Sequence, residues 1–346
     1  MKLFRACLVS TLVVIAFGSS VAFAASDVVT LKVAHFLPAS SNAHQKLIIP
    51  WCEKIGKESG GKIKCQIYPS MQLGGTPAQL FDQARDGVAD VIWTAATFQA
   101  GRFTKTEVFE LPFMINTAEK GSPALWDYIQ KNAMDEFKGV KLIATHFHDM
   151  APIHFGKKSV KTLEDLKGLK VRVPTRFSAK ALAALGAMPV QMPSPAIPEA
   201  IGKNVVDGAT LPWEVTTAFK LHEICKTHTE PGPGHAGISN TLMVFAMNQA
   251  RYNGLSPELK KVIDNNSGRE TSRWVGKSWD SFSAQSRKAA VDRHNTINIL
   301  SDEEYRRWAK ATESVDDEWV KEVGAKGANG RALLDDAKAM LKKYQN

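Results

Sequence analysis

Arg172 is the residue whose setting points most directly to chemistry. It stands inside an apolar run, Leu169-Lys170-Val171-Arg172-Val173-Pro174, close to the end that proline closes. A guanidinium is a planar fork of donors that grips a carboxylate through two parallel hydrogen bonds. The same side chain could pair with a neighbouring protein acid, so its position in the run leaves a ligand anchor and a structural ion pair both open. Trp213, just after Leu211-Pro212, poses a similar choice between a stacking wall and plain core. His146 and His148 stand two apart beside Asp149, on one face if the chain there is extended. Two imidazoles at that spacing can chelate a metal, yet no third ligand follows from the spacing, and none is assigned.

Patterns that would mark an enzyme fail on their context. Gly232-Pro233-Gly234-His235-Ala236-Gly237 spells G-x-G-x-x-G. A dinucleotide loop, however, follows a strand and opens a helix. Here prolines interrupt the run and the apolar stretch Thr241 to Met247 comes next, so a surface turn is expected. No G-x-S-x-G, H-E-x-x-H or P-loop pattern occurs. Neither a catalytic residue nor a cofactor is assigned.

The elements that must hold Arg172 form the second of two α/β runs. The first has strands over Val28–Phe36, Lys62–Tyr68 and Ala89–Thr94. Between them lie a helix over Asn42–Glu58 and another opened by Thr76-Pro77, a capping side chain followed by proline at the first helical position. The pattern restarts with strands over Val140–His146 and Leu169–Val173 and a helix over Arg176–Leu185. Further strands are expected over Pro189–Met192, Val205–Leu211 and Thr241–Met247. Ser256-Pro257-Glu258 opens a long helical tract to about Lys288, and Ser301 with Glu304 forms a capping box for a C-terminal helical region. Alternating strands and helices predict sheets covered by helices, with ligands in the crevice at the carboxyl ends of strands.

Lys2 and Arg5, the apolar run Leu8 to Phe17, and Ala22-Phe23-Ala24 read as a secretory signal over residues 1–24. Export to the periplasm is therefore expected, and an oxidising compartment permits disulfides. Cys52 and Cys65 are a possible pair. With Cys225 the count after processing is odd, so at least one thiol stays free. The net charge of +9 is spread over alternating basic and acidic residues with no basic block. That argues for a solubilising surface mildly favouring anionic ligands, and against nucleic-acid binding.

The run Leu163-Glu164-Asp165-Leu166-Lys167-Gly168-Leu169-Lys170-Val171-Arg172-Val173-Pro174 resembles the signature of DctP-type solute-binding subunits of tripartite ATP-independent periplasmic (TRAP) transporters. Tyr68-Pro69 before Gln72-Leu73-Gly74-Gly75, Asp86-Gly87 with Ala89-Asp90, and Glu110-Leu111-Pro112-Phe113 match in family order. So do Gly186-Ala187-Met188-Pro189, Val206-Asp207-Gly208, and Met247-Asn248 ahead of Leu255-Ser256-Pro257-Glu258-Leu259. The resemblance implies an α/β, two-lobed periplasmic binding protein fold with mixed sheets, an interlobe cleft and a long helix spanning both lobes. It implies lobe I over 27–150 plus about 240–280, and lobe II over 151–239 plus about 281–346. It also implies that Arg172 makes the salt bridge to a ligand carboxylate, that the protein is no enzyme, and that its partners are a small organic acid and DctQ/DctM-type membrane subunits. A monomer is expected. An ABC-type or sensor-associated binding protein would share this fold.

The departures from the family concern specificity. Positions that are polar in sugar-acid binders align with Phe36, Ala95, Phe98 and Leu211. A second family arginine falls near Pro152–His154, where this chain has none, and a frequent glutamate aligns with Ala196. Arg176 aligns beside the ligand and adds a cation. The expected ligand-binding set is Arg172, Arg176, Phe36, Trp93, Ala95, Phe98, His154, Ser194, Leu211 and Trp213. Apolar and aromatic walls would leave a polyol's hydroxyls unpaired at about 1–3 kcal/mol each. The expected ligand is thus an aromatic or apolar monocarboxylate, with a branched aliphatic 2-oxo or hydroxy acid or a sugar acid as alternatives.

Overall fold

Among the described residues, eleven strands divide between two sheets. β1 (Val29–His35), β2 (Ile63–Tyr68), β3 (Val91–Ala95) and β4 (Val140–His146) come first. Then come β5 (Ile153–Phe155), β6 (Lys170–Val173), β7 (Met188–Gln191), β8 (Gly208–Thr210) and β9 (Thr227–Glu230). β10 (Met243–Asn248) and β11 (Thr296–Ile299) complete them. The helices are α1 (Ile49–Glu58), α2 (Leu80–Arg85), α3 (Ala118–Tyr128), α4 (Arg176–Ala184), α5 (Ile197–Gly202) and α6 (Trp213–Thr216). They continue with α7 (Leu221–Ile224), α8 (Gln249–Asn253), α9 (Pro257–Asn265), α10 (Arg269–Asp292), α11 (Asp302–Ala325) and α12 (Gly330–Gln345). This computed structural model describes residues 28–345; the expected leader over 1–24 lies outside the described residues.

The first sheet has the order β2-β1-β3-β10-β4, and the second β11-β9-β5-β8-β6-β7. β10 returns from the second lobe and inserts antiparallel between β3 and β4, which makes the first sheet mixed. Both β3 and β10 are buried along their whole length, as central strands covered on two faces must be. The second sheet is mixed too: β5 runs antiparallel to both its neighbours, while β6 is parallel to β7 and β8.

One helix ties the lobes. At 1.5 Å per residue, the 24 residues of α10 reach about 36 Å, packing on α3 and β4 at one end and on α6 at the other. Its buried stripe, Ser272, Val275, Gly276, Trp279, Ser283, Ser286 and Ala290, recurs at helical spacing. Small residues let it approach closely. A Cβ on Gly276 would sit 2.3 Å from the Ala118 carbonyl oxygen. The expected tract from 257 to 288 is in fact two helices. Gly268, at φ 107° and ψ −162°, breaks it in a conformation open essentially to glycine, and its N–H donates to the Ile143 carbonyl.

The end of the chain needs one correction. α11 packs on α4 of the second lobe, but α12 crosses back onto α3, so residues 330–345 belong with the first lobe and not the second. Cys52 and Cys65 form a disulfide joining α1 to β2, and Cys225 is free and buried. Ser256 and Ser301 cap α9 and α11 as their spacing predicts.

Candidate functional site

β6 carries Arg172 to the interlobe crevice, where its guanidinium is 2% exposed. Nε donates to the Met192 carbonyl at 2.8 Å and Nη1 to the Thr210 carbonyl at 2.8 Å. These two bonds aim the fork. Among the described residues no carboxylate lies within 4.0 Å of it. Burial pulls its pKa down to about 9, so it stays charged at neutral pH. A lone charge in such surroundings is unfavourable by several kcal/mol.

Arg172 lines a cavity closed by both lobes. The first lobe supplies Phe36, Leu37, Trp93, Ala95, Phe98 and Met243. From the second come Pro174, Ser194, Leu211, Glu214 and Val215, and Trp279 reaches in from α10. Phe36 stacks on Trp93 with ring centroids 5.3 Å apart and meets the edge of Phe98 at 5.5 Å. The volume is about 50 Å³ measured to the centres of water-sized spheres; one water needs roughly 10–15 Å³ by that measure, so the space suits a few waters or a single flat ring. A shallower hollow of about 490 Å³, lined by Pro38, Met71, Pro195, Pro198 and Phe219, lies across Phe36. It opens to solvent and lacks a buried charge, which makes the enclosed cavity the better site.

The aromatic wall is fixed from behind. His146, at the end of β4, accepts from the Trp93 indole N–H at 2.8 Å, and its Nδ1–H donates to the Phe147 carbonyl. Both nitrogens are thereby committed to protein, so His146 has no lone pair to offer a metal. Burial holds its pKa near 3 and that of His148, which lines the cavity, near 4. Glu214 and Asp149 are buried carboxyls whose pKa values rise well above the usual carboxylate range, chiefly through burial. For Glu214, Asp149 adds to the rise and a hydrogen bond from Trp279 opposes it.

Of the ten expected site residues, Arg172, Phe36, Trp93, Ala95, Phe98, Ser194 and Leu211 line this cavity, and three do not. Arg176 is the clearest correction. Its fork closes on Glu107 of the first lobe at 3.0 and 2.5 Å and also reaches Glu322, so its charge is spent on protein acids away from the cavity. His154 lies behind the wall, donating from Nε2 to the Leu211 carbonyl at 2.8 Å and accepting at Nδ1 from His228. Trp213 donates to Glu230, itself paired with Arg287, and packs against His154 and His228 as core. Trp279, His148 and Glu214 were missed. His148 stands out in the sequence only through its spacing from His146, which suggests a metal and not a cavity wall, and nothing local sets Trp279 or Glu214 apart from ordinary helix residues. The glycine-rich segment 232–237 is a turn leading into β10, as expected.

Residues 33–322 match the family of bacterial extracellular solute-binding proteins, family 7 (DctP). A TRAP solute-binding protein from Rhodoferax ferrireducens, solved with copurified benzoate, is 46% identical. The match covers 92% of this chain and 98% of that one, with a TM-score of 0.90. A marine-metagenome TRAP solute-binding protein specific for aromatic acid ligands, solved with metahydroxyphenylacetate, is 43% identical over 92% of this chain and 100% of its own, at TM-score 0.90. One from Bordetella bronchiseptica with bound (R)- and (S)-mandelate is 30% identical, covering 91% and 99%, at TM-score 0.83. A fold of two mixed sheets about an interlobe cavity and a family match over most of its length lead to one conclusion: this chain belongs to the DctP family of TRAP-type solute-binding proteins.

Proposed function

We propose that this protein captures an aromatic monocarboxylate in the periplasm and presents it to the membrane subunits of a TRAP transporter. One observation carries the reading: Arg172 is a buried guanidinium with no protein counter-ion, facing a small cavity walled by Phe36, Trp93, Phe98 and Trp279. A ligand carboxylate would supply the missing charge, and a flat ring would fill the rest against the aromatic faces. The aromatic acids bound by the relatives at 43–46% identity support the same chemistry. Lobe closure follows from the same contacts, because only the shut form lets both lobes touch the ligand, which shifts the population toward it. No step of this work requires bond chemistry.

Thermal-shift and calorimetric screening of carboxylates tests the ligand class. Benzoates, phenylacetates, cinnamates and mandelates should stabilise the protein, and branched aliphatic 2-oxo acids should do so less. Stabilisation by uronates alone would reject the aromatic reading.

A further inference from the structure

The cavity has a second polar feature besides Arg172. Glu214, in the first turn of α6, lines it while being only 7% exposed. Among the described residues, no lysine, arginine or histidine nitrogen lies within 4.0 Å of its carboxyl. Its neighbours include the buried Asp149 carboxyl and the Trp279 indole, which donates to it. His148 lines the same cavity. Ser194, Thr210, Ser239 and Thr241 add small hydroxyls to the lining, but among the described residues Glu214 is its one carboxyl.

We propose that the Glu214 carboxyl determines specificity by hydrogen-bonding a hydroxyl on the ring of a ligand whose carboxylate Arg172 holds, so that hydroxylated aromatic monocarboxylates bind in preference to unsubstituted ones. The proposal rests on the aromatic-monocarboxylate reading above and refines it. Burial and the adjacent Asp149 favour the protonated acid, which donates through its hydroxyl and accepts at its carbonyl oxygen. A phenol complements both functions without bringing charge. A ligand ammonium would instead need Glu214 ionised and would bury a second ion pair, with its desolvation cost. An unsubstituted ring leaves the carboxyl without a partner on its cavity side, and that loss is the source of the selectivity.

Calorimetry with benzoate, 3-hydroxybenzoate, 4-hydroxybenzoate and 3-(aminomethyl)benzoate tests this. The better hydroxybenzoate should bind the unaltered protein about tenfold more tightly than benzoate. That ratio should collapse to about one in Glu214→Leu and largely survive in Glu214→Gln, whose amide both donates and accepts. Persistence of the ratio in Glu214→Leu would overturn the assignment. So would benzoate binding the unaltered protein as tightly as both hydroxybenzoates, a result that needs no variant to fold. Tightest binding of the aminomethyl compound would overturn the neutral-hydroxyl chemistry. If none of the four binds, the aromatic reading itself fails, an outcome distinct from a lost preference among binders.

Discussion

Replacing Arg172 by methionine separates a ligand anchor from a structural residue, because the two roles predict different effects on the ligand-free protein. The side chain donates to two buried carbonyls, Met192 and Thr210. Those bonds come from a charged donor, and losing them strands two buried carbonyls at about 1–3 kcal/mol each. Against this, the substitution removes a buried cation that has no protein acid, a relief of several kcal/mol. The two effects are of similar size and nearly offset, so ligand-free Arg172→Met should unfold at about the same urea concentration. Binding should behave otherwise. A ligand carboxylate would enter an apolar cavity with its partner gone, at about 2–5 kcal/mol, or roughly 30- to 5,000-fold in Kd. Arg172→Lys keeps the charge but not the fork, and should fall between. Isothermal calorimetry with benzoate, run beside urea unfolding of the ligand-free proteins, reads both quantities. Affinity within a few-fold of the parent, or an affinity loss matched by an equal loss of apo stability, would refute the argument.

Glu107→Gln removes one side of the interlobe clamp while Arg176 keeps Glu322; the closed form should lose about 1 kcal/mol and affinity about fivefold. Small-angle scattering of the ligand-free protein should show a larger radius of gyration, and an unchanged radius and Kd would rule the clamp out. Reducing the Cys52–Cys65 bridge, which spans 13 residues, should cost about 3 kcal/mol on the loop-entropy model; calorimetric scans with and without reductant measure it. Stability should peak near pH 6.5. Five buried histidines (His35, His146, His148, His154 and His228) have pKa values lowered to about 2–4, so the unfolded chain takes up their protons first and stability falls below about pH 6.5. Glu110, raised to about 8, and Glu136, Asp149, Glu214 and Asp280, also raised, act with the opposite sign, favouring the native state as pH falls toward 4.5 and costing stability as it rises. His44 and His222 are lowered as well, so seven histidines oppose five acids on the acid side, and only the acids act just above it. Urea unfolding at pH 5, 6.5 and 8 checks the dome.

Local sequence carries the anchor and half of the wall, and physics explains the boundary. Arg172 is legible because a cation between the apolar Val171 and Val173, within a run that resembles the family signature, demands a partner. Phe36 and Ala95 are legible because they align with pocket positions of the family, and both fall where strands end, facing the crevice. Trp279 is not. It lies in a polar, small-residue helix, and only the packing of α10 along both lobes turns that stripe inward. Glu214 reads like any acid in a helix first turn, which is common on surfaces; its burial comes from tertiary structure alone. Arg176 misleads for the converse reason. Its position one element past the anchor is right for a ligand contact, but Glu107, 69 residues away in sequence, takes its fork first.

The charge balance of the cavity argues further for a monoanion. His148 is held neutral and Asp149 and Glu214 are pushed toward their protonated forms, so Arg172 leaves the site with one net positive charge. One carboxylate cancels it. A second would enter with no cation to meet it, beside two acids that its field would keep protonated, and a buried unpaired carboxylate costs several kcal/mol. Size alone cannot mimic this effect if the comparison is isosteric. Isophthalate and 3-carbamoylbenzoate have nearly the same shape, yet the first carries one more charge. The amide should therefore bind at least about a hundredfold more tightly than the diacid, which corresponds to about 3 kcal/mol. Equal binding would mean that a second cation reaches the ligand on closure, and the single-arginine account of selectivity would have to be abandoned.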